Sequence, residues 1–240
     1  MAPLLRTTEV SKRFGSLVVL DEVSIDVEDG GALGIVGPNG AGKTTLLDVL
    51  AGAGSPQHGT VSLEGRDITR LGASARCRLG IGRTHQIPRP FTDMTVFENV
   101  LVGASQGAGL RGSHAQDRAL EALAEAGMLA LGNRRADTLG LLDRKRLELA
   151  RAVATGPRVL LLDEIAGGLT EAETTALVSE IADLRARGIA IVWIEHVVHA
   201  LLQVAQRLVC LAAGRVIAAG EPDAVMRDPA VVQAYLGSAP

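Results

Sequence analysis

An apolar run, Ala32-Leu33-Gly34-Ile35-Val36, leads directly into Gly37-Pro38-Asn39-Gly40-Ala41-Gly42-Lys43-Thr44-Thr45. The spacing is G-x-x-x-x-G-K-[ST] with a helical pattern behind it, the P-loop in the context it requires. Glycines let backbone N–H groups turn inward onto phosphate oxygens at a helix N-terminus. Lys43 can then reach the β- and γ-phosphates, and the Thr44 hydroxyl can ligate magnesium. A second buried run, Val159–Leu162, delivers Asp163 and Glu164 to its end, where ligands gather in open α/β sheets. Acidic pairs at strand ends also serve as helix caps. Downstream of a phosphate-binding turn, Asp163 is placed to hold magnesium and Glu164 to orient or deprotonate an attacking water. A third run closes on Ile194-Glu195-His196, and His196 suits a hydrogen bond to charge developing on the γ-phosphate. His196 with His199 lacks the third ligand and the HExxH spacing of a metal site.

These residues need strands and helices to carry them. The continuous apolar runs Ala32–Val36, Val159–Leu162 and Ile189–Ile194 predict parallel strands covered on both faces. Val23, Ile25 and Val27 alternate with polar neighbours between Leu20 and Gly30, and Thr60–Glu64 repeats the pattern, which predicts an antiparallel sheet with one wet face. Helical periodicity covers 43–51, 172–187 and 197–206, and Leu208–Ala212 with Arg215–Ala219 reads as a hairpin around Ala213-Gly214. Residues 115–131 form an amphipathic helix with Leu120, Leu123, Met128 and Leu131 on its apolar side. With 143–154 it makes a mostly helical block, and the Gly/Ser-rich patch 103–113 reads as a loop within it.

The fold class is therefore α/β: a P-loop NTPase core with a mainly parallel sheet, an N-terminal antiparallel β subdomain and an inserted α-helical subdomain. One domain spans 1–240, with the core at 1–87 and 156–240 and the helical block at 88–155. Composition agrees with a globular chain of that size: 240 residues, 47% apolar, 21% charged, net charge −3. Only 2% of residues are aromatic. That scarcity, with the slightly acidic balance, argues against nucleic acid as a partner, because single strands are gripped by aromatic stacking. No secretory signal is visible at MAPLLRTTEV, so the mature protein is expected to start near Met1. The apolar stretch 189–213 is broken by Glu195, His196, His199, Gln203 and Arg207, which speaks against a bilayer span. Cys77 and Cys210 form no CxxC pair and read as ordinary thiols.

Taken in order, the motifs resemble the ATP-binding-cassette ATPases over the whole chain. They are the P-loop at 37–45, Gln86 in RTHQIPRPF, the helical insertion, LELARA before the acidic strand, Asp163-Glu164, and His196. The resemblance implies a Q-loop role for Gln86, including magnesium ligation, and adenine stacking for Phe14 in VSKRFG; a half-buried core Phe is the alternative. GIGRTHQIPRPFTDMTVFENVLVGA and the ending GEPDAVMRDPAVVQAYLG are similar to the ATPase subunits of branched-chain amino-acid importers and related amide or urea importers. ATP and Mg2+ are then the implied ligands. The implied partners are integral membrane permease subunits, a second ABC ATPase subunit as homo- or heterodimer, and indirectly a solute-binding protein. The implied location is peripheral, on the cytoplasmic face of the cell membrane.

The chain departs from the family where a Leu-Ser-Gly-Gly-Gln signature is expected. It has Leu139-Gly140-Leu141-Leu142-Asp143, so the serine and both glycines are absent from their places. A helix N-terminus at Gly140 and Leu141 can still offer N–H groups to the opposite subunit's γ-phosphate. Asp143 reads either as an ordinary first-turn carboxylate or as a direct ATP contact. Ile165 replaces the proline after the acidic pair, and Thr170 stands where Asp or Asn is usual. Two further readings stay open beside the importer: a regulatory or mechanical ABC ATPase without transport, and a weakly hydrolysing cassette paired with a more active one.

Overall fold

Side chains alternate between the two faces of a strand, so a segment apolar at every position is satisfied only where both faces are covered. The structure, a computed structural model describing residues 2–236, uses its apolar runs in this way. Strands β1 (Leu5–Phe14) and β2 (Leu17–Val27) form a hairpin, and β3 (Ala32–Val36) runs through the glycine-rich turn into helix α1 (Lys43–Ala51). Next come β4 (His58–Leu63), β5 (Arg66–Asp67), α2 (Ala73–Arg78) and β6 (Ile81–Arg83). Three helices, α3 (Val96–Val102), α4 (Ser113–Glu125) and α5 (Leu141–Ala154), separate β6 from β7 (Val159–Asp163). The chain finishes with α6 (Glu171–Ala186), β8 (Ala190–Ile194), α7 (Val198–Leu202), β9 (Arg207–Ala212), β10 (Arg215–Gly220), α8 (Pro222–Arg227) and α9 (Pro229–Leu236).

Two sheets result, an antiparallel one in the order β2-β1-β4-β5 and a larger one in the order β10-β9-β3-β8-β7-β6. All neighbours in the larger sheet are parallel except β10 on β9. Leu33, Ile35, Val159, Leu161, Ala190 and Val192 pack with α1 and the antiparallel sheet in one buried cluster. The alternate residues Ala32, Val36, Leu160, Leu162, Ile191 and Trp193 pack with the helices on the other face. Every position of these strands is thus claimed by a core, which is why the runs carry no polar residue before Asp163.

Several expectations are corrected by packing. Residues 103–107 are not a loop; they continue α3 as a π-helical turn. Gly103 serves close approach there, since a Cβ would lie 2.5 Å from the Arg151 carbonyl of α5. The helix expected at 115–131 ends at Glu125, because Gly127 takes a positive φ of 62° and Met128 N bonds back to Leu123 O at 2.7 Å. Its buried face is Ala115, Ala119, Ala122 and Leu123, while Leu120 is exposed. The helix expected at 197–206 covers only Val198–Leu202, since Gln206 N must reach Ala32 O to start β9. β1 goes unpredicted because Glu9, at φ 50°, shifts its register and breaks the period of two.

Helix α1 is anchored from below by Arg76, whose side chain is fully buried. Its guanidinium donates to the carbonyls of Val49 and Leu50 at the end of α1 and to those of Thr69 and Leu71. A cation at a helix C-terminus is favourable, and only a planar fork reaches four acceptors at once. Arg76→Ala leaves those carbonyls without a donor, and the expected cost is about 2–4 kcal/mol. A urea titration checks this, with Arg76→Lys recovering little of the loss; a wild-type midpoint for either variant contradicts the anchoring role.

Candidate active site

Strand β3 ends level with β8 and β9, and the turn after it is shaped by what lies beneath. Gly37 has φ 144°, and a Cβ there would sit 2.0 Å from the Leu211 carbonyl of β9, so only glycine fits. Its N–H donates to Tyr235 Oη of α9 at 2.8 Å. Its carbonyl accepts from Lys43 Nζ at 2.7 Å, and Pro38 O accepts from the same ammonium at 3.0 Å. Lys43 is buried, and burial lowers its pKa against the opposing pull of Glu164 and, more weakly, Asp163. Asn39, Gly40, Ala41, Gly42, Lys43, Thr44, Thr45, Val19 and Glu164 line one open hollow of about 260 Å³. The P-loop and the second acidic residue therefore share a single pocket, which is what in-line transfer of a phosphoryl group to water requires.

Strands β7 and β8 bring the remaining groups to that edge. Asp163 pairs with Ile194, and Glu164 N donates to Ile194 O at 2.9 Å. Glu164 takes φ 46°, a strained conformation for a residue with a side chain. Both its oxygens are engaged: Oε1 lies 2.7 Å from His196 Nε2, and Oε2 accepts from Gln86 Nε2 at 2.5 Å. The structure thus joins three residues that lie far apart in sequence.

Asp163 is held differently. Its Oδ2 lies 3.4 Å from Arg83 Nη2, and Arg83 Nη1 pairs with Asp48 of α1 at 2.6 Å. Its Oδ1 is buried with no hydrogen-bond partner. Burial pushes its pKa up in spite of Arg83. A buried carboxylate oxygen left unpaired is costly, and a hard divalent cation would satisfy it. The donor set fits magnesium, with Asp163 and the exposed Thr44 hydroxyl as oxygen donors and the Gln86 amide at the rim.

Phe14 ends β1, is exposed, and has Lys12 Nζ 5.2 Å from its ring centroid. It does not line the P-loop hollow, and neither do Gly140 and Leu141. Gly140 caps α5, Asp143 sits in the first turn of that helix, and the Leu141 side chain is exposed and lies near Gly168. Thr170 is explained as the N-cap of α6, in a capping box with Glu173. Ile165 is buried in the helical-side core. Sequence reasoning missed Arg83, Tyr235, Lys145 and Glu195. No spacing rule points to the first three, and in the sequence Glu195 stands out only as a neighbour of His196 and a break in the apolar stretch 189–213.

Parallel strands ending level on a glycine-rich turn and an acidic pair place the fold among the P-loop nucleoside triphosphatases. The family described as ABC transporter matches residues 20–167, and one described as branched-chain amino acid ATP-binding cassette transporter matches residues 215–240. The chain belongs to the ABC transporter family, as one of its nucleotide-binding ATP-binding cassettes. It is 37% identical to the high-affinity branched-chain amino acid transport ATP-binding protein LivG of Salmonella typhimurium, over 99% of both chains. It is also 37% identical to the lipopolysaccharide export system ATP-binding protein LptB of Acidithiobacillus ferridurans, over 99% of this chain and 98% of that one. The ADP conformation of MJ1267, an ATP-binding cassette of an ABC transporter, superposes with a TM-score of 0.90 at 32% identity, covering 99% and 100% of the two chains.

Because burial disfavours its ammonium, Lys43 loses its proton at lower pH than an ordinary lysine as the pH rises. Binding a polyanion favours the charged form. The expected outcome is net proton uptake when ATP binds at alkaline pH, measured by calorimetry in buffers of different ionisation enthalpy. Equal heats in both buffers contradict it.

Proposed function

We propose that this chain is the ATP-hydrolysing subunit of a membrane transporter for branched-chain amino acids or related small polar solutes. The observation that carries the hydrolytic part is the shared hollow, in which the P-loop and Glu164 face the same space. The cargo class rests on the relatives' names and on the family matched at 215–240. LptB stands at the same identity with a different cargo, and the match at 215–240 favours the amino-acid reading over it.

In this reading the P-loop amides and Lys43 hold the β- and γ-phosphates, so the Lys43 ammonium leaves its two carbonyl acceptors, Gly37 and Pro38, for phosphate oxygens. Thr44, Asp163 and Gln86 hold magnesium, which when bound supplies charge neutralisation at the phosphates. Glu164 accepts a proton from water as the water oxygen attacks the γ-phosphorus and the bond to the ADP oxygen breaks. His196 and Gln86 occupy both Glu164 oxygens, so one of them yields to water when the substrate arrives, and His196 turns its N–H to the developing charge. Phe14 stacks on adenine. Gly140 and Leu141, which do not line this chain's own pocket, serve the pocket of a second cassette. The helical block at 88–155 passes the closing motion to integral membrane permease subunits, served by a solute-binding protein, at the cytoplasmic face of the membrane. Among the described residues no helix is long and apolar enough to cross a membrane.

One observation favours a second reading. Asp143 puts a carboxylate in the first turn of α5, 3.9 Å from Arg146, where the resemblance expects a neutral glutamine, and a negative charge brought toward a γ-phosphate is unfavourable. The partner cassette is then a different chain with a fuller signature.

Purified chain is expected to release phosphate from MgATP, and Glu164→Gln to lower kcat roughly 10²- to 10⁴-fold while retaining ATP and accumulating as a dimer. Unchanged turnover in Glu164→Gln contradicts the role given to that carboxylate. Cells lacking this chain are expected to lose uptake of labelled leucine, and undiminished uptake contradicts the cargo class.

A further inference from the structure

The catalytic scheme leaves one buried carboxylate unused. Glu195 is 2% exposed and accepts three backbone hydrogen bonds. Ala166 N donates to Oε2 at 2.9 Å, while His196 N and Val197 N donate to Oε1 at 2.9 and 3.3 Å. The first amide belongs to the turn that follows Glu164, and the other two belong to the segment that carries His196. One carboxylate therefore spans two loops that the sequence separates by a whole helix and strand. Both loops need such a tie. The His196 side chain is 42% exposed, so its placement depends on its backbone more than on packing around the ring. Glu164 sits in a strained conformation that relaxes unless its surroundings fix it.

A cation from a third element stands behind the tie. Lys145 of α5 is 3% exposed, and its Nζ donates to the Glu164 carbonyl at 3.4 Å. Glu195 is the strongest of the acidic influences that oppose the burial of its ammonium. A buried cation needs a countercharge and a hydrogen-bond acceptor; Lys145 has its acceptor in the Glu164 carbonyl, and the Glu195 carboxylate acts on it through charge, without a direct contact.

We propose that Glu195 is a positioning residue: it holds the loop of Glu164 and the loop of His196 in register, and Lys145 fastens that register to helix α5. The inference rests on the hydrolytic reading above, because what it positions is the Glu164–His196 pair. Gln in place of Glu is nearly isosteric, yet it offers one acceptor oxygen and one N–H2 group. It can satisfy one loop and must present a donor to the other. Asp keeps the charge but is shorter, so it reaches the amides beside it and not Ala166.

The test is Glu195→Gln in the full-length protein, read in two ways. Turnover of MgATP is expected to fall about tenfold to a hundredfold with KM for ATP changed by less than about twofold. In nucleotide-free protein the amide that then faces the N–H2 group, that of Ala166 or that of His196, is expected to exchange with deuterium faster than in the wild type. Glu195→Asp should recover part of the turnover and the protection of His196, leaving Ala166 fast. Should Glu195→Gln fail to fold because Lys145 is left unpaired, Glu195→Gln with Lys145→Met removes both charges and should fold with the same slow turnover. Wild-type kcat in the folded single or double variant overturns the proposal, as does unchanged exchange at both Ala166 and His196. A loss in kcat/KM that lies in KM alone overturns it too. Failure of the wild-type chain to hydrolyse ATP would instead defeat the functional reading, and the exchange experiment would still judge the tie between the loops.

Discussion

The Glu164 carboxylate is gripped at both oxygens, by Gln86 at one and His196 at the other. That double contact is what the rest of the structure has to make possible. Gln86 follows β6, Glu164 follows β7 and His196 follows β8, three adjacent parallel strands whose ends lie at one edge of the sheet. Parallel strands need long crossovers, and here the crossovers are the helical block and α6. Holding the Glu164 backbone at φ 46° costs about 1–3 kcal/mol, and the hydrogen bonds converging on the residue and on its neighbours Ala166 and His196 offset it.

Depth of packing keeps that edge in place. Each of the central strands is buried on both faces, toward α1 and the antiparallel sheet on one side and toward the helices on the other. The P-loop inherits its rigidity from below. Leu211 O excludes any side chain at Gly37, Tyr235 takes the Gly37 N–H, and Arg76 anchors the far end of α1. Tyr235 belongs to the segment matched at 215–240, so the part of the chain that sets it apart within its family touches the root of the glycine-rich turn. Cys210 lies at the same root, its thiol pushed up to about 11 by burial, and stays an uncharged core residue.

The P-loop and the three buried strands were legible in the sequence because each is a local pattern: a fixed spacing, or a run apolar at every position. What depended on distant contacts was not. β6 is three residues long and gives no period to read. Glu9 hides β1 by shifting its register, and Gly103, read as loop, is there to let α3 approach α5. Thr95 and Glu98 form a capping box that signals α3, a local sign that went unread. At the site, the identity of Lys43, Asp163, Glu164 and His196 could be read, whereas the joining of Gln86, Glu164 and His196 follows only from strand order. Arg83 on Asp163 and Glu195 on two loops are longer-range still: their function lies in what they hold, and nothing in the neighbouring residues announces it.

The measurement closest to the central claim is steady-state phosphate release by the purified wild-type chain, with ATP varied at fixed magnesium and then with magnesium chelated. The account predicts release that saturates with ATP, needs magnesium and disappears in Lys43→Ala. ATP bound tightly at this pocket with no phosphate released, alone or with its membrane partners, would contradict it.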